Sequence, residues 1–315
     1  MKRLTALLSL LLLHSASSAA SAENIDELRV LVLSTMLADR GIGEWGFAAL
    51  IEADDHRILF DTGARPETVL QNAKEMGVDL SDIEEVVLSH NHWDHTTGLV
   101  ALRSSLSKSN PDAMSRTHVG EGILWERPRY SGEVDFRVKA KAYEELGGRI
   151  VEHAKPAEIH PGIWVTGPVP RVHPERNWSP TANVRSPQGL IEDTIPESQS
   201  LVIETDEGLV VISGCGHAGI INTLEYARKA IRDAPVHAAL GGFHLLAGSD
   251  DHLDWTGQKM RDLEVGHFMG AHCTGIEAVF RLRESAGLDR SRAVVGAVGA
   301  SFTLGEGIEP LSVAR

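Results

Sequence analysis

His90-Asn91-His92-Trp93-Asp94-His95 sets four metal-ligating side chains within six residues. The short apolar stretch Glu85-Val86-Val87-Leu88-Ser89 precedes it. Thr96-Thr97-Gly98 leads from it into a second apolar run, Leu99-Val100-Ala101-Leu102. This pattern puts the cluster on a turn between a strand and a helix. Imidazole and carboxylate together suit zinc, iron or manganese. A tight turn can aim them at two positions, His90 and His92 at one ion, Asp94 and His95 at another. A polar loop that is merely rich in histidine is the competing explanation. Four ligand types at this spacing, straight after a buried strand, favour metal.

On the N-terminal side of the turn, Leu28–Leu33, Gly46–Glu52 and Arg57–Phe60 read as strands, and the last runs into Asp61-Thr62-Gly63. Asp61 can cap that turn. A helix follows: Pro66 suits its first turn, Val69, Leu70, Ala73 and Met76 share a face, and Gly77 suits the stop. Strand, turn, helix, strand, metal turn, helix is an α/β order with helices on sheet faces.

On the C-terminal side, residues 103–198 read as a loop-rich insertion. Short strands are expected at 149–152 and 163–166, with strand and turn at 117–125. The proline-rich run 168–196 reads as a long loop of the kind that forms lids or substrate walls. Within it Arg171 is either an anion contact for a substrate or a solvated surface residue. The second half repeats the logic of the first. A hairpin of Ser200–Glu204 and Gly208–Ser213 delivers Gly214-Cys215-Gly216-His217-Ala218-Gly219 to a helix through Ile220, Ile221, Leu224, Ala227 and Ile231. Strand 237–240 leads to Gly241-Gly242-Phe243-His244-Leu245, and 265–271 to His272-Cys273-Thr274-Gly275 and a helix through Ala278, Val279 and Leu282. Two α/β halves, each offering ligands at strand ends, predict a four-layer αββα sandwich with the site on one edge.

Residues 1–22 have a basic start, an apolar run Leu4–Leu13 and a small-residue end, Ala20-Ser21-Ala22. That is the pattern of a secretory signal peptide, cut before Glu23. The apolar run falls short of the roughly twenty residues a bilayer span needs. The expectation is an exported, periplasmic protein without stable membrane insertion, residues 23–315 forming one domain. With 44 acidic against 30 basic residues and a formal charge of −14, nucleic acid is not an expected partner. Only two cysteines, Cys215 and Cys273, exclude a disulfide-built scaffold.

The His-x-His-x-Asp-His turn closely resembles that of the metallo-β-lactamase-fold hydrolases. The motifs around Cys215, His244 and His272, in this order, resemble one branch of that superfamily. The branch includes the archaeal dihydropterin–ribofuranosylaminobenzene phosphate synthases and many uncharacterised hydrolases. The resemblance spans about residues 28–305. It implies two divalent metal ions, zinc foremost, ligated by His90, His92, Asp94, His95 and His272, with Asp61 buttressing the metal loop. It implies a hydrolase that uses metal-activated water on a small-molecule ester, lactone or phosphoester. Asp94 and His244 are the candidate catalytic residues, His244 for proton transfer, though it could also be a ligand or a substrate contact. A pterin-linked synthase and a non-catalytic metal-binding protein are the alternatives.

The chain departs from the superfamily at two places. Cys215 stands where the hairpin should deliver a bridging Asp, and no His lies between Asn183 and Ser200. His217 is the favoured replacement ligand, with Glu192 or Asp193 as alternatives. Cys215 is a thiolate ligand, a buried small residue or the disulfide partner of Cys273. His56, His118, His153, His160, His252 and His267 read as packed or surface histidines.

Overall fold

The computed structural model describes residues 24–314, so the segment 1–22 read as a signal peptide lies outside the described residues. Along Leu28–Ser34, Val30 and Val32 point to one side, into a cluster shared with Ile163, Val165, Leu201 and Ile203. Leu31 and Leu33 point to the other, towards Val69, Leu99 and Leu102. Gly208–Ser213 splits the same way, Val210 and Ile212 inward, Leu209 and Val211 towards Ile220, Ile221 and Leu224. Successive strand residues alternate faces, so a strand covered on both sides reads as a continuous apolar run. That is why these strands were legible.

Two sheets stack face to face. The eight-stranded sheet runs in the order Gly307–Glu309, Ser301–Thr303, Leu28–Ser34, Ala48–Ala53, His56–Phe60, Glu85–Val87, Arg116–Gly120, Arg149–His153. The seven-stranded sheet runs Ala293–Val295, His267–Gly270, Val236–Gly241, Gly208–Ser213, Ser200–Thr205, Ile163–Val165, Ala157–His160. Helices Thr68–Glu75, Gly98–Leu106 and Phe136–Glu145 cover the first sheet. Helices Ile220–Ala230, Asp250–Asp262 and Ile276–Ala286 cover the second. This is the expected αββα sandwich.

The region 103–198 is more regular than a loop-rich insertion. It supplies two strands to each sheet, the helix Phe136–Glu145, and a small hairpin of Asn183–Ser186 with Gly189–Glu192. The helix hides its signal in charge: Phe136, Ala140 and Tyr143 make a buried stripe between Arg, Lys and Glu. Asp135 caps it, accepting from the Arg137 amide. The helix Asp250–Asp262 was also unread; its buried stripe of Leu253, Thr256, Gly257 and Met260 is weakly apolar.

Candidate metal centre

Strands 56–60 and 85–87 are parallel neighbours, as are 208–213, 236–241 and 267–270. Their C-terminal ends therefore open on one edge, the usual place for a site in such sheets. Those ends deliver, in turn, Asp61, the His90–His95 turn, Cys215 with His217, His244 and His272. Asp61, His244 and His272 hold φ values of 56°, 50° and 47°. This left-handed region is uncommon for residues other than glycine and recurs at functional sites.

The ligand-type atoms fall into two groups of close neighbours, His90 with His92 and His217, and Asp94 with His95 and His272. Cys215 reaches both sides: its Sγ lies 3.2 Å from His95 Nε2 and it groups with His90, with His217 and with His272. His217 Nε2 lies 3.2 Å from His92 Nδ1, and His272 Nε2 lies 3.3 Å from both His95 Nε2 and Asp94 Oδ2.

Surrounding groups fix the tautomers. The Asn177 carbonyl can only accept, so His217 Nδ1 donates to it and Nε2 is left with its lone pair. His95 Nδ1 lies 2.6 Å from Asp61 Oδ2, which turns Nε2 inward. Ser89 Oγ donates to Asp61 Oδ2 at 2.7 Å and so accepts from His90 Nδ1 at 2.9 Å. His90 Nε2 is then a buried lone pair without a hydrogen-bond partner. On these three rings the second nitrogen is held by an acceptor, the pattern that orients metal-ligating histidines. Converging lone pairs in a buried space leave polar atoms unsatisfied unless a cation lies between them, so the residues fit divalent metal. Gly214 permits the arrangement: a Cβ there would lie 2.3 Å from Asp61 Oδ2 and 2.1 Å from Ser89 Oγ.

Burial keeps three of the rings neutral. Burial, reinforced by neighbouring histidines, holds His90 and His217 well below the usual histidine pKa. Burial lowers His92 to about 4 against the pull of Asp94. Neutral imidazoles are the form that binds metal. His95 is the exception: burial opposes its charge, but Asp61 and Asp94 outweigh it and raise its pKa to about 9, so without metal the ring is protonated and a cation must displace the Nε2 proton to bind there. Burial raises the Cys215 thiol well above its ordinary value, with Cys273 and the carboxylates acting the same way. Both cysteines are free, their sulfurs 3.2 Å apart, so the disulfide alternative is not what the structure shows.

A cavity of about 620 Å³ opens over His92, His217 and His244, walled by Tyr130, Arg176, Asn177, Trp178 and His252 among others. His252, read as a packed or surface residue, is thus on the cavity wall. Arg171 is not among the lining residues. Its guanidinium donates to the Thr194 and Ile195 carbonyls and stacks 5.3 Å from the Trp178 ring, behind the wall. Glu192 bonds Arg176 and Trp178. Asp193 and Glu197 pair with buried Arg127 at 2.8 and 2.6 Å, so neither Glu192 nor Asp193 joins the ligand groups. Glu197 also accepts from the Asn91 amide, tying this triad to the metal turn. Asp193 within the proline-rich run, and Arg127 and Glu197 outside it, carry no sequence signal of that burial.

A family model described as the metallo-beta-lactamase superfamily matches residues 46–228. The chain belongs to that superfamily. It is similar to the 7,8-dihydropterin-6-methyl-4-(beta-D-ribofuranosyl)-aminobenzene-5'-phosphate synthase of Methanocaldococcus jannaschii, 28% identical over 288 residues, 87% of this chain and 97% of that one. An uncharacterized protein of the same organism is 29% identical over 262 residues, 82% of this chain and 94% of that one. Among solved structures it is similar to Tm1679, described as a metal-dependent hydrolase of the beta-lactamase superfamily, at 27% identity and a TM-score of 0.70, covering 87% of this chain and 98% of that one.

Proposed function

We propose that the protein is a metal-dependent hydrolase of a small-molecule ester, lactone or phosphoester, with two divalent metal ions, zinc foremost. The observation that carries this reading is the pair of facing groups, His90–His92–His217 and Asp94–His95–His272, the first of which opens on the cavity through His92 and His217. Divalent ions bound there supply Lewis acidity and lower the pKa of a bound water. Asp61 fixes His95 through Nδ1 and the metal turn through the Ser89 amide, accepted at 2.7 Å. Cys215, between the groups, takes the position that a bridging carboxylate would fill, and a thiolate there favours the softer metals. His244 is half-buried on the cavity wall and is the proton-transfer residue of this reading; one of its ring nitrogens also groups with Cys215 and His217, which favours the ligand alternative. A cavity of this size, with Tyr130 and Trp178 on its walls, suits a small molecule.

The extent of similarity to the dihydropterin synthase, 97% of its length, favours a second reading, a pterin-linked synthase built on the same centre. A panel of ester, lactone, phosphodiester and β-lactam substrates separates the readings. Hydrolysis of one class by the wild type, lost by more than about 100-fold in Asp94→Ala, supports the hydrolase. Metal binding without turnover of any class removes it and leaves the synthase or a non-catalytic metal protein. Export is part of the proposal: the mature chain should begin at or near Glu23, and N-terminal sequencing that finds Leu4–Leu13 retained contradicts it.

A further inference from the structure

The loop that walls the cavity is moored to the helix Ile220–Ala230 by one buried carboxylate. Glu175 is 1% exposed. Its Oε1 accepts the Ile221 amide at 3.2 Å and its Oε2 the Asn222 amide at 2.9 Å, two of the donors a helix start leaves free. Gly219, at φ 99°, allows the approach: a Cβ there would meet Glu175 Oε2 at 2.3 Å. Asn222 completes the mooring, its Oδ1 accepting the Val172 and His173 amides at 2.8 and 2.7 Å. Two residues beyond Glu175, the Asn177 carbonyl accepts from His217 Nδ1, and Asn177 Nδ2 donates to the Gly216 carbonyl at 3.1 Å. Burial raises the Glu175 pKa to about 7, so its carboxylate sits where charge is costly. Arg176, Asn177 and Trp178 of the same segment face the cavity.

We propose that Glu175 is a positioning residue: by locking 175–177 onto the helix start it holds the Asn177 carbonyl against His217 and so sets metal affinity at the His90–His92–His217 group. This rests on the metal-centre reading above. The chain of contacts to that group is short. The path from Glu175 to the Asp94–His95–His272 group is longer, running from Asn177 through the Gly216 carbonyl and Cys215, so the first group should respond more strongly than the second. Groups that orient a metal-binding histidine typically change affinity about 10–100-fold.

Cobalt(II) titration of the chelator-stripped full chain, followed by visible absorption and competition with a chelator, reads the two affinities apart from any turnover. In Glu175→Ala the cobalt affinity of one site should fall about 10–100-fold and its absorption band change, while the second site changes less. Glu175→Gln, isosteric and retaining one acceptor, should recover part of the loss and serves if the alanine variant does not fold. Glu225→Ala, a change on the same helix that removes the carboxylate facing His173 and does not touch Glu175, should bind cobalt as the wild type does. Two wild-type affinities in a folded Glu175→Ala or Glu175→Gln variant would overturn the positioning role while leaving the metal centre standing. An equal loss at both sites would overturn the specific path through His217. A wild type that binds no cobalt would overturn the metal reading itself, and this inference with it.

Discussion

Two of the histidine clusters among the described residues are built differently. One gathers His90, His92, His95, His217, His244 and His272 at the strand ends. The other surrounds Glu85 at the sandwich edge: His160 Nε2 lies 2.6 Å from its Oε2, His118 Nε2 3.6 Å from its Oε1, and Arg116 pairs with it. His153 Nε2 lies 2.9 Å from His118 Nδ1, and His56 stacks on His160 at 3.9 Å between ring centroids. In the edge cluster, ring nitrogens face a carboxylate or one another along a chain that joins the sheets. In the site cluster, His90, His95 and His217 each have one nitrogen held from behind while the other points inward with its neighbours. Histidine abundance is common to both. Convergence of free lone pairs belongs to one.

The comparison can be sharpened at the carboxylate of each cluster. Asp61→Asn should lower metal affinity and turnover by about 10–100-fold, because it loosens His95 and the Ser89 link to His90. Glu85→Gln, the corresponding change in the edge cluster, should leave both within about twofold and register instead in thermal stability, because a buried charge partner is lost from Arg116. Equal effects of the two changes on metal affinity would erase the distinction.

A smaller effect is expected at the sulfurs. Both thiols should be free in the metal-loaded protein, and chelation should make Cys215 more reactive by removing the ion that shields it. Thiol counting before and after chelator tests this; finding no free thiol in the active, loaded form would favour a Cys215–Cys273 disulfide.

The smallest effect concerns pH. Burial, with His118 beside it, lowers His153 to about 4 from the usual 6.5. A depressed histidine binds fewer protons folded than unfolded between those values. Its contribution to stability is therefore present above about pH 6.5 and lost as pH falls towards 4. His153→Gln should flatten the fall in Tm between pH 7 and 5 by no more than about 2–4 °C, the shift about 1 kcal/mol makes in a large domain. A steeper fall in the variant would show the sign to be wrong.

How much of this was legible follows from the range of the interactions. The His90–His95 turn is local in sequence, so its ligands could be read together with the strand that presents them. His217 and His272 could be read because each also follows an apolar strand. Asp61 could be placed by its order ahead of the turn. Glu175, Asn177 and the Arg127–Asp193–Glu197 triad could not. Their meaning lies in burial against residues such as Asn222, 47 positions away, and Asn91, 106 positions from Glu197. In sequence they are ordinary polar residues of a loop. Arg171 shows the reverse: a cation in that loop reads as an anion contact or a solvated surface residue, yet backbone carbonyls and Trp178 occupy it. The helix Phe136–Glu145 was lost for a related reason, since its buried Lys139 breaks the apolar stripe.

The most direct measurement is metal content per chain in three purified proteins: wild type, His92→Ala from the site cluster and His153→Gln from the edge cluster. The account predicts two divalent ions in the wild type and in His153→Gln, and one or none in His92→Ala. Full metal content in His92→Ala, or metal lost from a folded His153→Gln, would contradict it.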